Sequence, residues 1–225
     1  RLTAEYETSV PNLFIAGELG GLALIKNAIN QGRDTVDRIA ERAPVLRSRE
    51  VVGSAPVDVA IIGAGPAGLS AALRAGERGL SHLLLEAEDF GGTVAKYPRQ
   101  KLVMTSPVEF PLHGRFNKLE IGKEELLAFW QKAASRAGLM VRTGAPVETI
   151  QRDADGAFSI TTPLGSHRSL AVILAIGRRG TPRKLGVPGE ELPQVMYSLL
   201  EAESYTGKEI LVIGGGDSAI EAALG

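Results

Sequence analysis

Residues 57–68 read Val57-Asp58-Val59-Ala60-Ile61-Ile62-Gly63-Ala64-Gly65-Pro66-Ala67-Gly68, and the fold follows from how this stretch is taken. A short apolar run, three glycines spaced Gly-x-Gly-x-x-Gly and the Ala-rich helical period that follows make a strand, a tight turn and a helix. Each glycine has its own task. Gly63 allows the sharp turn, Gly65 lets the backbone approach a pyrophosphate with no Cβ in the way, and Gly68 lets the helix pack closely on the strand. The unpaired amides at the helix start then face the anion. As a bare string the same motif would also describe a chance Gly-rich turn, so its context decides.

Outward from it, residues 81–86 form a second apolar run, and Glu86 closes that run 18 residues after Gly68. A carboxylate there can accept both hydroxyls of an adenosine ribose; the alternative is a surface carboxylate that only ends a strand.

Composition narrows the classes. The chain has 225 residues, enough for a packed core. Its 25 basic and 26 acidic residues nearly cancel, which leaves no electrostatic footprint for nucleic acid. No apolar run approaches the roughly 20 residues of a membrane span, so no membrane partner is expected and cytoplasm is the default compartment. The chain begins with Arg1 rather than Met, so residues upstream are expected. It contains no cysteine, which excludes a disulfide, a thiolate metal site or a dithiol redox centre within these residues. The three histidines, His82, His113 and His167, lack ligand spacing and read as structural. Electron chemistry, if any, must sit on a bound cofactor.

Before the glycine motif, residues 12–16 read as a buried strand stopped by Gly17 and Glu18. Gly20-Gly21 then leads into a helix over residues 22–42, where Leu24, Ile25, Ala28, Ile29, Val36 and Ile39 recur at helical spacing. An acidic residue at the strand end beside a glycine-opened helix suits a polyol hydroxyl and an electron-rich ring edge. Residues 43–56, with proline at both ends and no strong period, read as a linker.

After Glu86, residues 89–106 hold Gly91-Gly92-Thr93 and look too irregular for a regular element, and a loop this long in a compact domain is often functional. Residues 123–137 form an amphipathic helix with Trp130 on its core stripe. Residues 139–142 are a short strand. Residues 147–152, 157–162 and 169–175, separated by hairpin-type turns, form an antiparallel three-stranded meander that ends at Ala175-Ile176-Gly177. Residues 209–214 repeat the opening strand pattern, and Gly214-x-Gly216-x-x-Ala219 is a second dinucleotide fingerprint, Ala being allowed at the third position. Only about a turn and a half of helix follows, so further residues are expected beyond Gly225.

These stretches together resemble the two-dinucleotide flavoproteins of the pyridine nucleotide-disulfide oxidoreductase superfamily, specifically the thioredoxin-reductase-like branch. The resemblance rests on Gly63-Ala-Gly65-Pro66-Ala67-Gly68, Glu86, Gly91-Gly92, the meander ending at Ala175 and Gly177 with Pro182 after it, and the Gly214 motif. It implies an α/β, Rossmann-like FAD-binding domain, a parallel sheet with the meander inserted, followed by the start of a second, NAD(P)-binding Rossmann-like domain. It also implies the cofactors FAD and NAD(P)H. By the same resemblance Val147 would hold the adenine through its backbone, Thr93 would lie near the flavin ring, Glu18 would meet the ribityl chain, and Gly17 and Gly92 would belong to the same cofactor site. Glu18 stands where the family usually has Asp. Gly214, Gly216, Asp217, Ser218 and Ala219 would take the nicotinamide cofactor.

The departures bear on function. Thioredoxin reductases carry a Cys-x-x-Cys pair just before the nicotinamide-domain strand, whereas residues 197–205 here contain none. Residues 97–106 also resemble bacillithiol disulfide reductases, but those place a cysteine inside the first glycine motif, where Ala67 stands. The order is unusual too: the piece resembling residues 8–42 comes last in the family and first here. The expected division is therefore a C-terminal-type FAD segment at 1–42, from a tandem copy or a permutation, a linker at 43–56, the FAD-binding domain at 57–206 and a truncated NAD(P)-binding start at 207–225. The leading reading is an FAD-dependent oxidoreductase that takes hydride from NAD(P)H and passes electrons to a small-molecule or protein acceptor. The rival is a flavoprotein-like module with an interaction or sensing role and no turnover. No residue stands out as a general acid or base, no metal site is expected, and a homodimer is one assembly open to the chain.

Overall fold

The computed structural model describes residues 2–21, 24–48, 53–104, 106–178, 184–197, 199 and 201–224. In chain order the strands are β1 (Leu13–Ile15), β2 (Val57–Ile62), β3 (His82–Leu85), β4 (Leu102–Met104), β5 (Val108–Phe110), β6 (Gly114–Phe116), β7 (Glu120–Gly122), β8 (Val141–Arg142), β9 (Thr149–Arg152), β10 (Phe158–Thr162) and β11 (Gly165–Leu174). The helices are α1 (Ile25–Arg47), α2 (Pro66–Glu77), α3 (Lys123–Arg136) and α4 (Asp217–Leu224).

The apolar run of residues 57–62 becomes the middle of the sheet because it can be covered on both faces. β2 pairs in parallel with β3 on one side and with β11 on the other, and the order along the sheet is β8-β3-β2-β11-β10-β9. Alternate residues of β2 serve opposite layers. Val59 and Ile61 join one core cluster with Leu69 and Leu73 of α2 and Ile29 and Val36 of α1. Ala60 and Ile62 join another with Phe158 and Ile160 of β10.

The meander forms as expected, but its last strand does double duty. The first half of β11 pairs antiparallel with β10, from Gly165 to Ser169. The second half runs parallel between β2 and β1, with Phe14 opposite Ile173. β1 thus belongs to the same sheet as the strand that leads into the glycine motif.

The helix that follows β1 is longer than its periodicity indicated. It begins at Ile25 and continues through Pro44 to Arg47, so residues 43–47 are not linker but its last turn. A bidentate pair explains the extension: Arg47 donates to both carboxylate oxygens of Asp58, at 2.6 and 2.7 Å, and Asp58 also accepts from the amide and hydroxyl of Ser81. Proline inside a helix removes one amide bond, and this clamp holds the turn beyond it.

Helices α1 and α2 approach closely. A Cβ at Gly32 would lie 2.1 Å from the Ala67 carbonyl oxygen, so only glycine permits the crossing. The Ser70 hydroxyl donates to the Ile29 carbonyl at 2.7 Å, and Arg74 makes two bonds to Asp37 across the same seam.

Two further expectations change. Residues 89–106 are not wholly irregular: Gly92–Lys96 is a 3₁₀ turn and β4 pairs with β7, while β5 and β6 form a hairpin. Among the described residues no strand forms over 209–214; Leu211 and Ile213 are 83% and 65% exposed. A strand needs a neighbour for its ladder, and none of the described strands pairs with these residues. The helix of the second fingerprint does form, as α4. Trp130 is fully buried beneath α3, as its position on the core stripe indicated.

Candidate functional site

A cleft of about 750 Å³ opens at the carboxyl ends of β1, β11, β2 and β3, a size within the roughly 300–1,000 Å³ of small-molecule and cofactor sites. It lies where β3 and β11 leave β2 in opposite directions, the switch point at which open α/β sheets bind ligands.

Its floor is the turn after β2, and the three glycines there are distinguishable by geometry. Gly63 has φ 106°, and a Cβ on it would lie 2.4 Å from the Ala175 carbonyl oxygen. At Gly68 a Cβ would come within 1.8 Å of the Gly63 carbonyl oxygen, so the helix could not pack against its own turn. At Gly65 a Cβ would meet nothing within 4 Å. The first two glycines are required by the protein; Gly65 leaves a space that the protein does not use. Gly65 caps α2 and Pro66 begins it, so the free amides of the first turn and the positive end of the helix face that space. Gly92 folds over it, its Cβ position 3.2 Å from the Gly65 Cα.

Glu86 stands at the end of β3, 8% exposed. One carboxylate oxygen accepts the Ala64 amide at 2.6 Å and the other accepts the Glu88 amide at 2.9 Å. These bonds fix the carboxylate and leave each oxygen a further lone pair toward the cleft.

At the other end, Gly17 takes φ 90° as β1 stops, and its amide donates to the Gln31 side-chain oxygen at 2.7 Å. Glu18 follows in a 3₁₀ turn and faces the cleft, with Ile25 and Ala28 of α1 beside it. Thr93 and Tyr97 close this end. Burial raises the Tyr97 phenol above its usual range; Lys101 opposes this and the Glu18 and Glu221 carboxylates add to it, so the hydroxyl keeps its proton at neutral pH.

Gly17, Glu18, Gly63, Gly65, Pro66, Ala67, Glu86, Gly92, Thr93, Val147, Ala175 and Gly177 all line this one cleft. Gly68 sits behind it. Gly214, Gly216 and Ala219 lie outside it, with a Cβ on Gly214 3.3 Å from that of Ala219. Asp217 and Ser218 begin α4, and their side chains lie outside the description, as does Pro182. None of the three histidines lines the cleft: His82 bonds the Leu80 carbonyl and His113 sits edge-on to Phe129. Tyr97, Pro146, Ile25 and Ala28 are wall residues that the motifs did not indicate; only the Gly91–Thr93 loop pointed toward Tyr97. Among the described residues no helix is long and apolar enough to cross a membrane.

The profile of the family described as pyridine nucleotide-disulphide oxidoreductase matches residues 60–225. Ferredoxin–NADP reductase from Lacticaseibacillus paracasei is 35% identical over 173 residues, covering 74% of this chain and 50% of its own length. That from Ignicoccus hospitalis is 32% identical over 169 residues, covering 74% and 51%. Among solved structures, bacillithiol disulfide reductase from Staphylococcus aureus superposes with a TM-score of 0.67 at 27% identity, over 76% of this chain and 54% of that one. The chain spans about half the length of the curated relatives it matches.

Proposed function

This chain belongs to the pyridine nucleotide-disulphide oxidoreductase family, and from that premise we propose that it supplies the flavin-holding part of an FAD-dependent oxidoreductase that takes hydride from NAD(P)H and passes the electrons to a separate acceptor. The observation that carries the reading is the pairing, across one cleft, of the open Cβ position at Gly65 with the fixed carboxylate of Glu86. On this reading an adenosine diphosphate would set its phosphates against Gly65 and the first turn of α2, its ribose hydroxyls on Glu86 and its adenine beside the Val147 backbone, all of which line the one cleft.

When bound, FAD supplies the electron chemistry, and the protein supplies binding, orientation and electrostatics. Gly17 and Glu18 would meet the polyol chain, and Ala175, Gly177 and Thr93 would approach the ring. The phenol of Tyr97, protonated at neutral pH, can donate a hydrogen bond at this end. Gly214, Gly216 and Ala219 at the start of α4 offer the second set of helix-start amides, suited to the nicotinamide cofactor.

These residues contain no cysteine, so a dithiol relay within them is not the route to the acceptor. Two of the relatives are named for ferredoxin, and a one-electron iron-sulfur protein is the acceptor to test first.

The test is spectroscopic. Purified protein is expected to carry the visible bands of flavin and to lose them anaerobically on addition of NADPH or NADH. Protein that copurifies with no flavin, and takes none up from excess FAD, would remove the reading. Bound flavin that neither nicotinamide bleaches would favour the binding module without turnover.

A further inference from the structure

Lys123 is the first residue of α3 and is only 9% exposed. Neither its location nor its burial favours it. A cation at a helix N-terminus opposes the macrodipole, and an ammonium removed from water is costly unless it is bonded. Its Nζ donates to the Tyr97 carbonyl at 2.5 Å, and among the described residues no carboxylate pairs with it.

Two more bonds run from the start of α3 to the same segment. The Lys123 amide donates to the Lys101 carbonyl at 3.0 Å, and the Glu124 carboxylate accepts the Gln100 amide at 3.3 Å. Residues 97–101 need such a clamp, because Gln100 takes φ 58°, a left-handed conformation that a residue with a side chain holds only under constraint. The segment carries Tyr97 into the cleft wall beside Thr93, with the Lys101 ammonium 4.9 Å from the ring centre.

We propose that Lys123 is a positioning residue of the cleft: its buried ammonium fixes the Tyr97 carbonyl and so holds the Tyr97 ring at the end where Glu18 and Thr93 gather. The clamp itself is read from the protein alone; its consequence for a ligand rests on the flavin reading above.

The experiment has one arm for each. Backbone hydrogen exchange is followed over residues 97–104 and over α3, without added flavin, in wild type, Lys123→Met, Lys123→Arg and Glu124→Ala. Loss of a charge-assisted hydrogen bond corresponds to about a tenfold change. Exchange in 97–101 is therefore expected to rise about tenfold in K123M, with α3 still protected, and to return toward wild type in K123R, whereas in E124A only the Gln100 amide, which loses its acceptor, is expected to exchange faster. The flavin-loaded protein is then compared for FAD retention and flavin fluorescence; K123M is expected to release FAD about tenfold more readily and to fluoresce more strongly as the ring withdraws. Unchanged exchange at 97–101, or acceleration shared equally by α3, would overturn the clamp. Should K123M not fold, Lys123→Gln carries the same readout. A wild type that binds no FAD would overturn the flavin reading and leave the exchange arm to judge Lys123.

Discussion

The contact that joins residues 2–47 to the glycine motif can be tested with one methyl group placed at two positions. In Gly32→Ala the new Cβ would lie 2.1 Å from the Ala67 carbonyl oxygen and 3.1 Å from the Ala71 nitrogen, all of it backbone that no rotamer can move. An ordinary contact needs about 3.5 Å, so α1 and α2 must part by more than an ångström over a seam that includes the Ser70–Ile29 bond and the Asp37–Arg74 pair. Overpacking of this kind costs about 1–3 kcal/mol, and the better helix propensity of alanine returns up to about 1 kcal/mol. A net loss of about 1–2 kcal/mol lowers the melting temperature by roughly 2–8 °C in a chain of this size. The same substitution at Gly76, in α2, meets only the Leu112 side chain, at 3.9 Å, and is expected to stabilise by up to about 1 kcal/mol. Thermal unfolding of the two variants should therefore move in opposite directions. A Gly32→Ala protein as stable as wild type, beside a Gly76→Ala protein that is stabilised, would mean that α1 does not lie on α2 in solution and that the cleft lacks the wall carrying Ile25, Ala28 and Glu18.

The glycines of the turn separate folding from binding. Gly65→Val should unfold within about 0.5 kcal/mol of wild type, because its side chain enters space the protein leaves open, while losing FAD uptake in a titration; Gly68→Ala should instead lose several kcal/mol, about 2–4, with or without FAD. Glu86→Gln can satisfy only one of the two amides its carboxylate now accepts, so a loss of about 1–3 kcal/mol in thermal unfolding and weaker FAD binding are expected; wild-type affinity in this variant would refute the ribose assignment. For Asp58, burial alone would raise the pKa, but the hydrogen bonds from Arg47 and Ser81 outweigh it and hold the carboxyl below the usual value. A carboxyl with a depressed native pKa contributes stability above the unfolded value, near 4, and loses it as pH falls through the native one. Asp58→Asn should accordingly be less stable at neutral pH and show a shallower acid limb below about pH 4 in chemical denaturation; an unchanged acid limb would count against the Arg47–Asp58 clamp.

What could be read in advance divides along physical lines. The strand, turn and helix of residues 57–77 were legible because each glycine answers a separate steric demand within a few residues. The meander was legible because its turns and alternation are local. The end of α1 was not. Pro44 is a local signal to stop, and what overrides it is a pair formed with Asp58 on a strand and Ser81 beyond the next helix. The missing strand at 209–214 is the converse case: its apolar pattern is as clear as that of β2, yet a strand is a property of two segments and the pattern shows only one.

The site follows the same division, and this bears on how it would work. Residues that would meet a ligand through their backbone on the reading proposed here, such as Gly65 and Gly17, leave a mark in the sequence, because that demand would exclude every side chain. Tyr97 leaves only the irregular loop it lies in, since its place in the wall is set by the course of residues 97–101, and those are held by Lys123, which follows β7 and lies beside Lys101. The Gly65 end of the cleft is therefore built from rigid elements that tolerate little change. The end at Glu18 and Tyr97 is held by side-chain bonds, Gln31 to Gly17 and Lys123 to Tyr97, each of which can be altered without moving the sheet. Affinity for the adenosine half should be insensitive to those side chains, and the surroundings of the reacting half should be tunable through them; a flavin whose fluorescence and retention ignored both Gln31→Ala and Lys123→Met would show that this end, too, is fixed by the backbone.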